Sequence, residues 1–283
     1  MKKLNLACGG VYITSNNWIN VDYVSSDSHV QAANLLETLP FESNSISLVY
    51  SSHFLEHIPL HQVPSFLREC HRVLEPGGVI RLVLPDFEEM CREYLSQLDS
   101  GDYTKAQLCV IDIVDQCVRL ESGGELAKIY RKYSQDLAGN DQIRDYLYSR
   151  NGQYLPLPPL PSVLSQSTKF TKLTNLLEKL NLLIKKPVYQ LDRVRINILT
   201  SLLPKAFREQ NVSFAGIGER HHWLWDFYQL KSVLDEVGFD NVQRFDFNTS
   251  QTSDFSFQPL DADPDNQPRK GQQSMYLEAV KKF

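Results

Sequence analysis

Apolar residues enter the chain in short runs. "KLNLACGG" breaks at two glycines, "WINVDYV" follows almost at once, and "ISLVYSS" comes after the polar turn "ESNS". Runs this short, rich in Val and Ile and bounded by turn residues, predict strands buried on both faces. The spacing then changes. Val63, Phe66, Leu67, Cys70, Val73 and Leu74 recur at the period of an amphipathic helix, "PGG" ends it, and "VIRLVLPD" returns to the strand pattern.

The same alternation resumes near the end of the chain. In "YQLKSVLDEVGFD" the residues Leu230, Val233, Leu234 and Val237 share one helix face, with Gly238 as the stop. "NVQRFDF" and "SMYLEAVKK" read as strands joined by the polar, proline-bearing "DADPDNQPRKG". Two strands joined without a crossover helix are expected to pair antiparallel. Strands and helices in alternation predict an α/β protein with a mostly parallel sheet.

From Glu88 to Gly218 the strand pattern largely vanishes. Helical patterns replace it, broken by "YLPLPPLPSV" and resumed in "KFTKLTNLLEKLNLLIKK", where Phe170, Leu173, Leu177, Leu180 and Ile184 form a stripe. We expect a helical insertion covering the carboxyl edge of the sheet. Residues 169–208 carry an excess of Lys and Arg over acids. A lid or dimer face that buries its leucines competes there with peripheral contact to anionic lipid.

Composition narrows the class. With 283 residues, 42% hydrophobic and 22% charged, the chain is an ordinary globular protein able to bury a sizeable core. Its net charge of -5 disfavours nucleic acid as the main partner. No run approaches the ~18 apolar residues of a membrane span, and the opening lysines lead into no secretory segment, so a cytoplasmic protein is expected. Five cysteines without a C-x-x-C pair argue against a disulfide framework and a structural zinc site.

Candidate chemistry begins at the first turn. A strand ending in glycines lets backbone approach a ligand closely, and a second strand ending in Asp22 sets a carboxylate beside it that can accept from a ribose diol. The stretch "ACGGVYITSNN" has neither the third glycine of a dinucleotide fingerprint nor room for a long helix before "WINVD", which lowers the case for NAD or FAD.

In order along the chain, "LNLACGG", "INVDYV", "LPFESNSISLVYSSHFLEHI", "RECHRVLEPGGVIRLVLPD" and "LKSVLDEVGF" resemble the successive motifs of class I S-adenosylmethionine-dependent methyltransferases. The short first loop and the late "HHWLWDF" resemble a branch associated with polysaccharide or natural-product pathways. The resemblance covers about residues 1–90 and 220–282. It implies an α/β, Rossmann-like seven-stranded sheet of order 3-2-1-4-5-7-6 with one antiparallel strand, built from 1–90 and 219–283. Residues 91–218 would be the helical insertion that forms a lid and acceptor pocket.

By motif position, the resemblance assigns Ala7, Cys8, Gly9 and Gly10 to the turn under the methionine part of S-adenosylmethionine, Asp22 to the ribose, and Tyr23 to the adenine. Asn34 and Leu35 fall where the family has an acid and an apolar residue at the adenine. Ser51, Ser52 and His53 would line the reacting end. Position 7 is alanine where the family has glycine, and position 34 is asparagine where it has an acid.

The resemblance implies transfer of a methyl group, most simply to oxygen of a sugar, a lipid-linked sugar or a small metabolite; an N- or C-methyltransferase of a natural product is the alternative. A non-catalytic nucleoside-binding or scaffold protein is the reading from another class. If the acceptor is a hydroxyl, His57 or His222 is the candidate base, since histidine titrates near neutral pH. A metal site on His53, Glu56 and His57 would need a further ligand that the sequence does not place, so no metal is expected. Trp223, Trp225 and Phe227 suit either a core or a planar acceptor, and Asp226 suits a helix cap.

Overall fold

The computed structural model describes residues 1–282 except 26, 136–140, 153–198, 214, 216 and 217. Two compact units result, one from residues 1–156 with 215–283 and one from 157–214. The stripe in "KFTKLTNLLEKLNLLIKK", most of the basic stretch 169–208 and all of "YLPLPPLPSV" lie outside the described residues.

The first unit is built on strands β1 (Lys3–Leu6), β2 (Trp18–Asp22), β3 (Val30–Ala32), β4 (Ile46–Ser52), β5 (Leu74–Pro85), β6 (Phe239–Phe245) and β7 (Ser274–Lys281). They form one sheet in the order β3-β2-β1-β4-β5-β7-β6, with β7 antiparallel to both of its neighbours. This is the topology expected from the motifs, and the helix-free link does join an antiparallel pair.

Helix α1 (Val63–Val73) buries Val63, Phe66, Leu67, Cys70 and Val73, the face that the spacing predicted. The helix stops at Val73: Leu74 is already extended (φ -64°, ψ 138°) and opens β5, so "PGG" lies within the strand rather than at the helix end. The four helices that follow β5 are α2 (Phe87–Asp99), α3 (Tyr103–Val118), α4 (Gly124–Gln135) and α5 (Asp141–Asn151). The second unit contributes α6 (Lys205–Asn211), and α7 (Phe227–Val237) returns to the sheet, capped at its start by Asp226 and at its end by left-handed Gly238 (φ 107°).

Alternate strand residues feed two cores. Leu4, Leu6, Val21, Val49, Ile80, Leu82 and Leu277 pack with α1 and α7 on one face. On the other, Trp18, Leu48, Tyr50, Val83 and Tyr276 pack against Phe255 and Leu260. Each fully buried Leu or Val contributes about 1.5–3 kcal/mol, which is why the strands read as continuous apolar runs.

The second face is covered by the β6–β7 link rather than by a crossover helix. Its anchor is Arg81, fully buried in β5, which lies 2.7 Å from Asp261 and 2.7 Å from Glu278. The guanidinium also donates to the carbonyls of Asp246 (3.0 Å) and Thr249 (2.9 Å), and Tyr50 Oη donates to Asp261 (2.7 Å). At the other end of the face, Lys3 Nζ lies 2.7 Å from Asp254. All five cysteines are free thiols.

Candidate active site

The carboxyl ends of β1, β2 and β4 converge because β1 lies between the other two, with Leu6 opposite both Val21 and Ser51. The strand order reverses at this point, which opens a crevice at the sheet edge. Immediately after β1 the chain turns with Ala7 (φ 55°) and Gly9 (φ 54°) both in the left-handed region. A Cβ built on Gly9 or Gly10 would meet nothing within 4 Å, so the turn faces open space.

Asp22 closes β2 beside this turn. Its Oδ2 accepts from the Gly9 N–H at 2.7 Å and its Oδ1 from the Tyr23 N–H at 2.7 Å. Each carboxylate oxygen keeps a further lone pair for a ligand hydroxyl. Cys8 is buried beneath the turn, where burial and the charge of Asp22 push its thiol up to about 11 and keep it neutral.

Asn5 and Asn20, paired across β1 and β2, brace the turn, and the sequence reading did not single them out. Asn5 Nδ2 donates to Asn20 Oδ1 (3.2 Å) and to the Val11 carbonyl (3.0 Å). Asn20 in turn accepts from the Ile13 N–H (3.3 Å) and donates to the Ile13 carbonyl (2.9 Å). Their signal was one polar residue inside each of two apolar runs. Nearer solvent, Tyr12 donates to Asp27 (2.7 Å) and stacks on His29, tying the loops after β1 and β2 together.

The remaining cofactor candidates divide. Tyr23 is exposed at the crevice rim. Asn34 Oδ1 accepts from the Leu36 N–H (3.1 Å) and its Nδ2 donates to Glu37 (2.8 Å), so its amide shapes a turn. Leu35 packs into the main core, and it is Leu36 that is exposed. At the end of β4, Ser51 Oγ is buried with no hydrogen-bond partner among the described residues. Ser52 closes the strand, and His53 (φ 52°) turns the chain out of the sheet.

His53 opens onto a cavity of about 280 Å³ that lies beyond β4 and β5, beneath α3 and α4. Asp112, Tyr130, His221, Lys270 and Gln273 also line it. Gln273 is held by backbone bonds, its N–H to the Arg150 carbonyl (3.1 Å) and its own carbonyl accepting from Asp86 (2.8 Å). These join α5 and the start of α2 to the last strand. Burial raises Asp112 to about 6, and burial with the charge of Arg269 lowers Lys270 to about 8.

Behind the cavity wall lies a buried cluster of histidines around one carboxyl group. Glu56 is 1% exposed, and burial raises it to about 8. Its Oε1 lies 3.3 Å from His53 Nδ1 and 3.9 Å from His57 Nε2. His53 Nε2 lies 3.1 Å from Ser274 Oγ. Burial, then the charge of Lys270, holds His53 well below the usual histidine range, so it is neutral at pH 7.

His57 Nδ1 donates to the Arg220 carbonyl at 2.8 Å, and its ring meets that of His221 edge to face at 4.8 Å. Burial lowers His221 to about 3. Glu56, His57 and His221 each bring one ligand atom within 4.8 Å of the others.

Of the two histidines in "GERHHWLWDF", His221 lines the cavity while His222 is exposed, its N–H donated to the Glu56 carbonyl at 2.7 Å. Trp225 joins the core, Trp223 stays partly exposed, and Asp226 accepts from the Gln229 N–H (2.9 Å) as a helix cap.

Residues 7–82 match the model of a family described as a methyltransferase domain. Among solved structures, an S-adenosylmethionine-dependent methyltransferase from Mesorhizobium loti is 20% identical, with 30% of this chain and 47% of that one covered at a TM-score of 0.24. The [4+2]-cyclase SpnF is 17% identical over 29% of this chain and 38% of its own (TM-score 0.25). A SAM-dependent methyltransferase from Archaeoglobus fulgidus is 12% identical over 99% of this chain and 86% of its own (TM-score 0.38). The chain thus spans less than half the length of the first two structures. No curated protein matches it. At these identities the reaction has to be argued from the chain's own residues.

Proposed function

We propose that this chain, which carries the sheet and motifs of the class I S-adenosylmethionine-dependent methyltransferases, methylates an oxygen of a small polar acceptor held in the cavity between His53 and Asp112. The residues at the crevice fit the cofactor: an open glycine turn for close backbone approach, a carboxylate with free lone pairs, and the buried, unpartnered hydroxyl of Ser51. Ala7 to Gly10 would hold its methionine part with Ser51 and His53, Asp22 its ribose, and Tyr23 its adenine. When bound, S-adenosylmethionine supplies an activated methyl group.

The chain's own task is to position the acceptor and to take up its proton. Proximity and orientation supply up to ~7–11 kcal/mol of such a barrier. The observation that carries this reading is the cavity of about 280 Å³ that begins at His53, next to the crevice. Its size falls near the lower end of the ~300–1,000 Å³ typical of small-molecule pockets, which suits one sugar ring. Asp112, His221, Lys270 and Gln273 stand in its lining beside apolar Pro85 and Leu126, a mixture that suits an acceptor carrying hydroxyl groups on a carbon ring.

Asp112 is the proton acceptor in this reading, because it faces the cavity and its value of about 6 leaves it ionised yet basic near neutral pH. The other two candidates take lesser parts. His57, behind the wall, positions His221, and His222 lies outside the cavity.

Formation of S-adenosylhomocysteine with a panel of free and nucleotide-linked sugars tests this. Asp112→Asn is expected to lower turnover by ~100-fold or more while cofactor affinity stays unchanged. Unchanged turnover in that variant removes Asp112 from the mechanism, and absence of cofactor binding by the wild type removes the whole reading. Among the described residues no helix is long and apolar enough to cross a membrane. Vesicle sedimentation at low salt tests the peripheral contact through 169–208 that a lipid-linked acceptor would call for.

A further inference from the structure

Glu56, His57 and His221 converge in a way that hydrogen bonding within the protein does not explain. Both carboxylate oxygens of Glu56 and Nδ1 of His221 are buried and lack a hydrogen-bond partner among the described residues. Buried polar atoms of this kind are rare and call for an occupant. His57 is already oriented: its Nδ1–H is given to the Arg220 carbonyl at 2.8 Å, so the lone pair sits on Nε2, the atom that faces Glu56. A ligating histidine is normally fixed by such a bond from its second nitrogen.

We propose that these three residues form a binding site for a divalent transition-metal ion, zinc or a chemical equivalent such as cobalt. Two imidazoles and one carboxylate select this class over magnesium or calcium, which take oxygen ligands. The three ligand atoms lie within 4.8 Å of one another. Bonds of ~2.1 Å in a tetrahedral site need an edge of ~3.4 Å, so small side-chain rotations close the cluster around an ion. Three protein ligands leave a fourth position open, the arrangement of zinc sites that bind substrate. His221 also lines the acceptor cavity, so the cluster borders it. An ion there would bind the acceptor's oxygen and ease loss of its proton.

Metal binding is measured on the full chain without cofactor or acceptor, so its failure leaves the methyl-transfer reading standing. After chelation and dialysis, calorimetry with zinc and the visible spectrum with cobalt are expected to show one saturable site per chain. Glu56→Gln, which preserves side-chain size, is expected to weaken zinc binding about 10-fold or more, and His221→Ala about 100-fold. His61→Ala, on an exposed turn, is expected to leave it unchanged. X-ray absorption of the zinc-loaded wild type needs no variant to fold, and two imidazoles with oxygen in the shell would support the site. Absence of saturable binding, binding that survives both ligand variants, or a shell containing sulfur or fewer than two imidazoles would overturn it.

Discussion

Asp22 Oδ2 and the Gly9 N–H meet at 2.7 Å across the gap between β2 and the turn after β1. The carboxylate therefore fixes the turn with the same oxygens that, in the proposed function, would receive a ribose. Asp22→Ala is expected to weaken S-adenosylhomocysteine binding by about 10- to 100-fold, the loss of one charge-assisted hydrogen bond at ~1.5–3 kcal/mol. Titration calorimetry on wild type and variant measures it, and equal affinities would mean that the nucleoside lies elsewhere.

Ala7 has φ 55°, a conformation in which its Cβ crowds the following carbonyl. The cost is about 1–2 kcal/mol for a residue with a side chain, offset in part by the greater freedom of glycine in the unfolded chain. Ala7→Gly is expected to raise stability by about 0.5–1 kcal/mol in urea denaturation. A lower midpoint for the variant would show that the methyl group makes packing contacts worth more than the strain.

Arg81 is fully buried between Asp261 and Glu278, each at 2.7 Å. Removing the cation leaves two buried acids without their charge partner, at a cost of about 3–5 kcal/mol. Arg81→Met is expected to show this loss in chemical denaturation, and adding Asp261→Asn with Glu278→Gln to restore part of it. A loss under ~1 kcal/mol would mean that the β6–β7 link is held mainly by its other contacts, the packing of Phe255 and Leu260 and the Lys3–Asp254 pair.

Asp112 stands at about 6 in the folded protein against an ordinary 3.8, because burial disfavours its charge. The folded state thus holds this proton more tightly than the unfolded one. The stability it contributes is full below about pH 4 and is lost as the pH rises through 6. Asp112→Asn is expected to melt higher than wild type at pH 7 and level with it at pH 3.5, while losing activity. Parallel melting curves at both pH values would show that the carboxyl group is solvated.

Six of the seven strands, the face of α1, the Gly238 stop and the antiparallel final pair were legible in the chain because each follows from local periodicity and turn chemistry, whereas the three-residue β3 is too short to carry a period. The motif order was sufficient to place Gly9 beside Asp22, since the two strands that carry them are consecutive and adjacent. Asn5 and Asn20 were visible as polar breaks in apolar runs, but their meaning depended on register.

The tertiary structure decided what lies far apart in sequence. Whether His221 or His222 faces the cavity depends on the path of the chain into α7, and adjacent positions carry no periodic signal to separate them. His53 after β4, Asp112 in α3, and Lys270 with Gln273 in the β6–β7 link all reach one cavity. The link read as a simple connection covers a whole face of the sheet, because Arg81 in β5 finds Asp261 far along the chain. Local pattern is written residue by residue, and it determined the elements. The chemistry of the site arises from charges and lone pairs brought together in space, and only the packed fold sets their neighbours.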